Sequence, residues 1–192
     1  MVEFALVLPM LLVFLLGVAD FARIFTAGIT MEAAARDGAE AAAQEYLQLI
    51  HKTGGVLDAG DYSALHTTAL DAVCSETEPL PNQNKVGASC TMPLAAVCVH
   101  DGVDPLCGIE SDDGVGPEPG VPQCTGVNGA WDNANLGATP GGAPALPYVE
   151  VRACYRFTTL FNLGDLNLPF GWSISLGEIW LQRDREFTVA NY

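Results

Sequence analysis

The chain has 192 residues, 49% of them hydrophobic and 16% charged, and its 23 acids against 8 bases give a formal net charge of -15. That balance argues against binding nucleic acid, where Lys and Arg must neutralise phosphate, and against docking on an anionic lipid surface. The length allows one ordinary domain plus an extra element. A mean hydropathy of +0.25 in so acidic a chain implies that the apolar residues are concentrated somewhere.

They are concentrated at the N-terminus. From Phe4 to Ala19 no charge occurs. Sixteen residues of helix span about 24 Å, slightly short of the roughly 30 Å hydrocarbon core of a bilayer. The run therefore suits a membrane segment or the core of a protein bundle. After Asp20 the composition shifts but does not break, with no proline from Met10 to Glu78. Phe21 to Ile50 is rich in Ala and other strong helix formers. Its alanines make a slim surface that a neighbouring backbone can approach closely. Glu32, Arg36 and Glu40 are spaced to pair along one helix face, and Asp20 with Arg23 likewise. Gly54-Gly55 is the predicted stop. One helix over 1–52 is expected, with 1–20 as the apolar segment and 21–52 packed on a domain at 53–192. Such a helix, about 75 Å long, is predicted to protrude from that domain.

Glu3 opens the apolar run without a compensating base. A buried carboxylate with no partner costs several kcal/mol, so Glu3 either stays in the wet headgroup region or meets a cation on another chain. A cleaved secretory signal is disfavoured, because no Lys or Arg precedes the apolar core.

The runs Val2-Glu3-Phe4-Ala5-Leu6-Val7-Leu8-Pro9, Gly17-Val18-Ala19-Asp20-Phe21-Ala22-Arg23 and Ala34-Ala35-Arg36-Asp37-Gly38-Ala39 resemble the TadE-like family, pilin-like subunits of tight-adherence pilus systems. The resemblance covers about the first 45 residues. It implies a pilin-like α+β fold, with the long helix on an antiparallel sheet. It also implies processing by a prepilin peptidase, membrane insertion before assembly, and handling by a pilus assembly machinery. The family's glutamate stands at mature position five and here at position three, so the chain is expected to lack two residues of the mature start. By resemblance, Glu3 meets the N-terminal amine of a neighbouring subunit. The assembly residues expected are Glu3, Phe4, Leu8, Pro9, Leu12, Leu16, Gly17, Asp20 and Arg23. In that set Pro9 kinks or locally opens the helix, and Gly17 allows close packing.

The middle of the chain, 53–147, reads as irregular structure on a small core, with strand character in Val86–Val99 interrupted by Pro93. Residues 101–147 form an acidic, Gly/Pro-rich loop region. All six cysteines, Cys74, Cys90, Cys98, Cys107, Cys124 and Cys154, lie after the helix, and no two form Cys-x-x-Cys. An extracellular disulfide framework fits this better than a zinc site. Six cysteines allow fifteen pairings, of which Cys98 with Cys107 is the easiest local closure. Asp101, Asp104, Asp112 and Asp113 invite a calcium reading, but their spacing is not that of an EF-hand and a solvated acidic loop is preferred.

The C-terminal part reads as sheet. Val149, Val151, Ala153, Tyr155 and Phe157 share one face, and Glu150, Arg152, Cys154 and Arg156 the other. Ser173–Val189 is a second strand-rich run, so an antiparallel pair connected through Leu160–Trp172 is expected, its apolar face covering Tyr46, Leu47 and Ile50. No two-His metal motif, nucleophile elbow or phosphate loop occurs. The chain is therefore expected to be a structural subunit without enzyme activity or cofactor. It would polymerise with identical or related pilin subunits into a cell-surface filament serving adhesion. The alternative is a monomeric, membrane-anchored extracellular binding module with an acidic, calcium-binding loop.

Overall fold

A computed structural model describes residues 2–83, 85–87, 89–100, 106–109, 147–159, 163–168, 172–176 and 179–189. The architecture is α+β. Helix α1 (Val2–Thr53) and helix α2 (Ala59–Glu76) precede the strands β1 (Lys85–Val86), β2 (Ser89–Cys90), β3 (Leu94–His100) and β4 (Leu106–Ile109). The strands β5 (Tyr148–Phe157), β6 (Leu163–Leu168), β7 (Trp172–Leu176) and β8 (Ile179–Thr188) follow. Two compact units are distinguished. One holds Met1–Ile29 and Phe157–Ile179, the other Thr30–Arg156 and Trp180–Tyr192.

Helix α1 ends at the predicted glycines. The Gly54 and Gly55 N–H groups both donate to the Ile50 carbonyl, at 3.0 and 3.1 Å. Gly54 and Gly55 take φ of 75° and 105°, a region that costs residues bearing a Cβ but not glycine. The helix assignment is continuous through Pro9.

In the larger unit the C-terminal half of α1 is buried along Met31, Ala34, Ala35, Ala39, Ala42 and Tyr46. The slim surface anticipated from the alanines is thus a packing face. Gly38 carries it furthest. A Cβ there would stand 2.6 Å from Val73 Cγ2, 3.3 Å from the Ala69 carbonyl oxygen and 3.6 Å from Val151 Cγ1. Helix α1 thus meets both α2 and β5 at this point, at a separation that only a hydrogen side chain permits.

Helix α2 corrects the irregular reading of this part of the middle region. Asp58 caps it, accepting from the Gly60 and Asp61 N–H groups at 2.8 and 3.0 Å, while the Asp61 carboxylate takes the Asp58 N–H at 3.0 Å. This reciprocal arrangement satisfies N–H groups that a helix start leaves unpaired. Leu65, Ala69, Leu70 and Val73, at helical spacing, are at most 1% exposed. A disulfide between Cys74 and Cys90, with Cα atoms 5.7 Å apart, ties α2 to the β1–β2 hairpin. Lys85 Nζ adds contacts to Asp71 Oδ1 at 2.9 Å and Ser75 Oγ at 2.7 Å.

The expected pairing of Tyr148–Phe157 with the second run is present as the neighbours β5 and β8, inside a larger four-stranded sheet of order β4-β3-β5-β8. Strand β3 lies antiparallel to both β4 and β5, with Val97 opposite Gly108 on one side and Val151 on the other. The run Ser173–Val189 divides into β7 and β8, and β7 pairs antiparallel with β6 in a separate hairpin. Alternation in β5 holds on the apolar face, where Val149, Val151, Ala153, Tyr155 and Phe157 are at most 1% exposed. The opposite face is partly covered as well. Cys154 and Glu150 are buried too, and Arg152 brings Nε and Nη2 each to 2.8 Å from Glu150 Oε1. Burying a carboxylate requires such a partner. The Tyr155 hydroxyl donates to the Pro81 carbonyl, tethering the segment after α2 to β5.

Candidate assembly site

The start of α1 carries no charge from Phe4 to Ala19, and most of the large apolar side chains described from Val7 to Ile29 are not covered. Twelve large hydrophobic residues between Val7 and Ile29 are 45–78% exposed, among them Leu8, Leu12, Phe14, Phe21 and Phe25. Leu16 is half-buried. A helix with no polar face gains nothing from water and is found inside a core or a membrane. Among the described residues, this is the one helix long and apolar enough to cross a bilayer by length and composition.

Two glycines of α1 differ in kind. Gly38 is enclosed, whereas a Cβ at Gly17 would meet nothing within 4 Å. No contact within the described chain requires a glycine at 17. Asp20 and Arg23 do form their predicted pair, Arg23 Nη1 lying 3.2 Å from Asp20 Oδ1. The Arg23 guanidinium also stands 5.2 Å from the centroid of the buried Phe157 ring, a cation–π distance. Both ions are thus compensated within their own chain, which lowers the cost of placing charge on an apolar helix.

The side chains of Glu3, Phe4 and Pro9 lie outside the described residues, as do Asp101, Asp104, Asp112, Asp113, Cys124 and the side chain of Cys107. Cys98 and Cys154 are each disulfide-bonded, and the register sets the Cα of Cys98 opposite that of Cys107. Among the described residues, no group of three or more His, Cys, Asp or Glu side chains could hold a metal ion.

The expected Glu32–Arg36–Glu40 ladder is not formed. Glu32 instead takes two guanidiniums from β8, Arg183 Nε at 3.5 Å and Arg185 Nη2. Glu40 accepts from the Gln44 amide at 3.3 Å. Partners brought by the sheet have displaced partners one helical turn away. Arg36 is exposed, and among the described residues none bonds to it. The alternating signs of Arg183-Asp184-Arg185-Glu186 were the signal for this cluster, since a strand sends alternate residues to opposite faces. On the other side of the sheet, Tyr148 has its pKa raised above 10.0 by burial first, then by the negative charges of Glu186 and Glu150.

The family model for TadE-like proteins matches residues 1–40. The matched span takes in the whole exposed apolar stretch, the Asp20–Arg23 pair, Arg36 and Gly38. No curated protein and no solved structure matches the chain. The match points to a subunit associated with a tight-adherence pilus.

Proposed function

We propose that this chain is a pilin-like structural subunit that polymerises through the first half of α1 into an extracellular filament serving surface attachment. The observation that carries this reading is the uncovered set of twelve large apolar side chains from Val7 to Ile29, inside the segment matched by the family. Each contributes about 1.5–3 kcal/mol when fully removed from water. With roughly half of each side chain still to cover, the sum is on the order of 10–20 kcal/mol, comparable to or above the ~4–15 kcal/mol that association costs. A bilayer covers the same surface before assembly, so the helix serves first as anchor and then as filament core. The disulfide-linked domain forms the outer surface, and disulfides suit an oxidising exterior.

In this scheme Phe4, Leu8, Leu12 and Leu16 supply contact area, Gly17 permits close helix approach, and Glu3 sets register by meeting a neighbour's N-terminal amine. The partners are pilin subunits, the membrane before assembly, a prepilin peptidase and the assembly machinery.

The test is electron microscopy of material sheared from cells that carry the pilus machinery, with mass spectrometry of the subunit's N-terminus. Filaments containing the chain are expected, and Glu3→Ala should abolish its incorporation while leaving the domain folded. Normal filaments from that variant would remove the register role. A chain confined to the membrane fraction would favour the monomeric anchored module.

A further inference from the structure

We infer that the guanidinium cluster of Arg36, Arg183 and Arg185 around Glu32 is a docking surface for carboxylates of a second copy of this chain. The inference rests on the subunit reading above and adds to it a polar contact outside the apolar helix.

Two of the chain's eight bases, Arg183 and Arg185, meet at Glu32, and a third, Arg36, follows Glu32 four residues along α1. Glu32 is the carboxylate the first two share. Arg183 and Arg185 both contact it, and their side chains remain 42% and 48% exposed. Arg36 stands one helical turn further along α1, close enough for its side chain to neighbour Glu32, yet it is exposed and takes no partner among the described residues. Strand β8 keeps its own acids off this surface. Arg183 and Arg185 alternate with Asp184, whose carboxylate accepts from Gln182 at 3.0 Å, and with Glu186, which acts on Tyr148 across the sheet. Asp37 and Glu40 follow Arg36 on the helix, and Glu40 is engaged by Gln44. One carboxylate cannot neutralise three guanidiniums, so the cluster keeps a surplus of positive charge.

Charge complementarity identifies the occupant. The rest of the chain is strongly acidic, and the run from Asp101 to Asp113 alone carries five carboxylates without one base. Another copy therefore presents many anions to any cation left open. Among the described residues strand β8 ends the sheet order β4-β3-β5-β8, and no further described strand takes its far side. Guanidinium groups bind carboxylates in two-pronged fashion, which sets orientation as well as attraction. Such a contact gives the filament a fixed rotation between subunits, which apolar helix packing, being non-directional, does not supply.

The experiment uses the full chain in detergent micelles, isotopically light and heavy chains being mixed. Arg36→Lys preserves the charge and introduces an amine that a carbodiimide couples directly to a touching carboxylate. Cross-links joining light to heavy chains from that amine are expected, and they should vanish in about 1 M salt, where the Debye length is about 3 Å. Arg36→Glu should weaken self-association about tenfold at low salt, the size of one charge contact at an interface. Coupling confined to the amine's own chain, or undiminished association of Arg36→Glu, overturns the inference. If that happens while wild-type chains still form filaments, the subunit reading stands without this contact. A chain that never self-associates overturns both.

Discussion

Gly38→Ala isolates the closest approach in the fold. In an exposed helix this change stabilises by about 1 kcal/mol, because alanine restricts the unfolded backbone more than glycine. Here the added methyl would lie 2.6 Å from Val73 Cγ2, whereas carbon atoms rest at roughly 3.5–4.0 Å. A shift of about 1 Å is needed, and little can give it. Val73 is 0% exposed and β-branched within α2, so its χ1 is held in one rotamer. The Ala69 carbonyl at 3.3 Å is backbone, and Val151 closes the site at 3.6 Å from β5. Overpacking of this kind costs about 1–3 kcal/mol. The expected net effect is a loss of about 1 kcal/mol, or about 2–4 °C in Tm for a chain of this size. Thermal unfolding of the full chain in micelles, followed by circular dichroism, measures it. The paired variant supplies the control: in a Val73→Ala background, with the colliding methyls gone, Gly38→Ala should be neutral or stabilising. A Gly38→Ala protein as stable as wild type would refute the argument from close approach.

Replacing Cys74 and Cys90 together by Ser should lower stability by about 3 kcal/mol, the entropy released by opening a loop of this length, read as a lower urea midpoint; an unchanged midpoint would show the link to be energetically idle. Asp58→Ala removes the acceptor for two N–H groups of α2 and should cost about 1 kcal/mol, seen as faster hydrogen exchange in the first turn of α2 than in its centre. Tyr148 holds its proton more tightly folded than unfolded, because burial and then Glu186 and Glu150 raise its pKa above 10.0. Its contribution to stability is therefore complete below the unfolded value and is lost as pH rises through the folded one. Tyr148→Phe should flatten the alkaline fall in stability above about pH 10, and an identical fall in both proteins would remove Tyr148 as its source.

Much of the apolar segment of α1 was legible because its signals are local. Sixteen residues without a charge need no tertiary information to be read as surface seeking cover, and Gly54-Gly55 stops the helix through backbone conformation alone. Asp20 and Arg23 pair as spaced. Helix α2 was equally local, with a capping box at Asp58 and Asp61 and apolar residues at Leu65, Ala69 and Val73. The Gly-rich, acidic composition of the wider region hides this eighteen-residue periodic pattern.

What the sequence by itself determined is thus the set of single-element properties: the apolar run of α1, its stop, the alternation of β5 and an even number of cysteines. Tertiary structure alone decided which partners those elements take. Glu32 has Arg36 within one turn, yet it binds Arg183 and Arg185 from a strand about 150 residues away, because the sheet delivers two guanidiniums where the helix offers one. Glycine at position 38 reads as a helix-weakening residue until α2 and β5 are in place around it. The division of Ser173–Val189 between a hairpin and a four-stranded sheet follows the same rule. Strand pairing is a contest among all edges present, and a strand's own residues specify which face it buries but not the neighbour it meets.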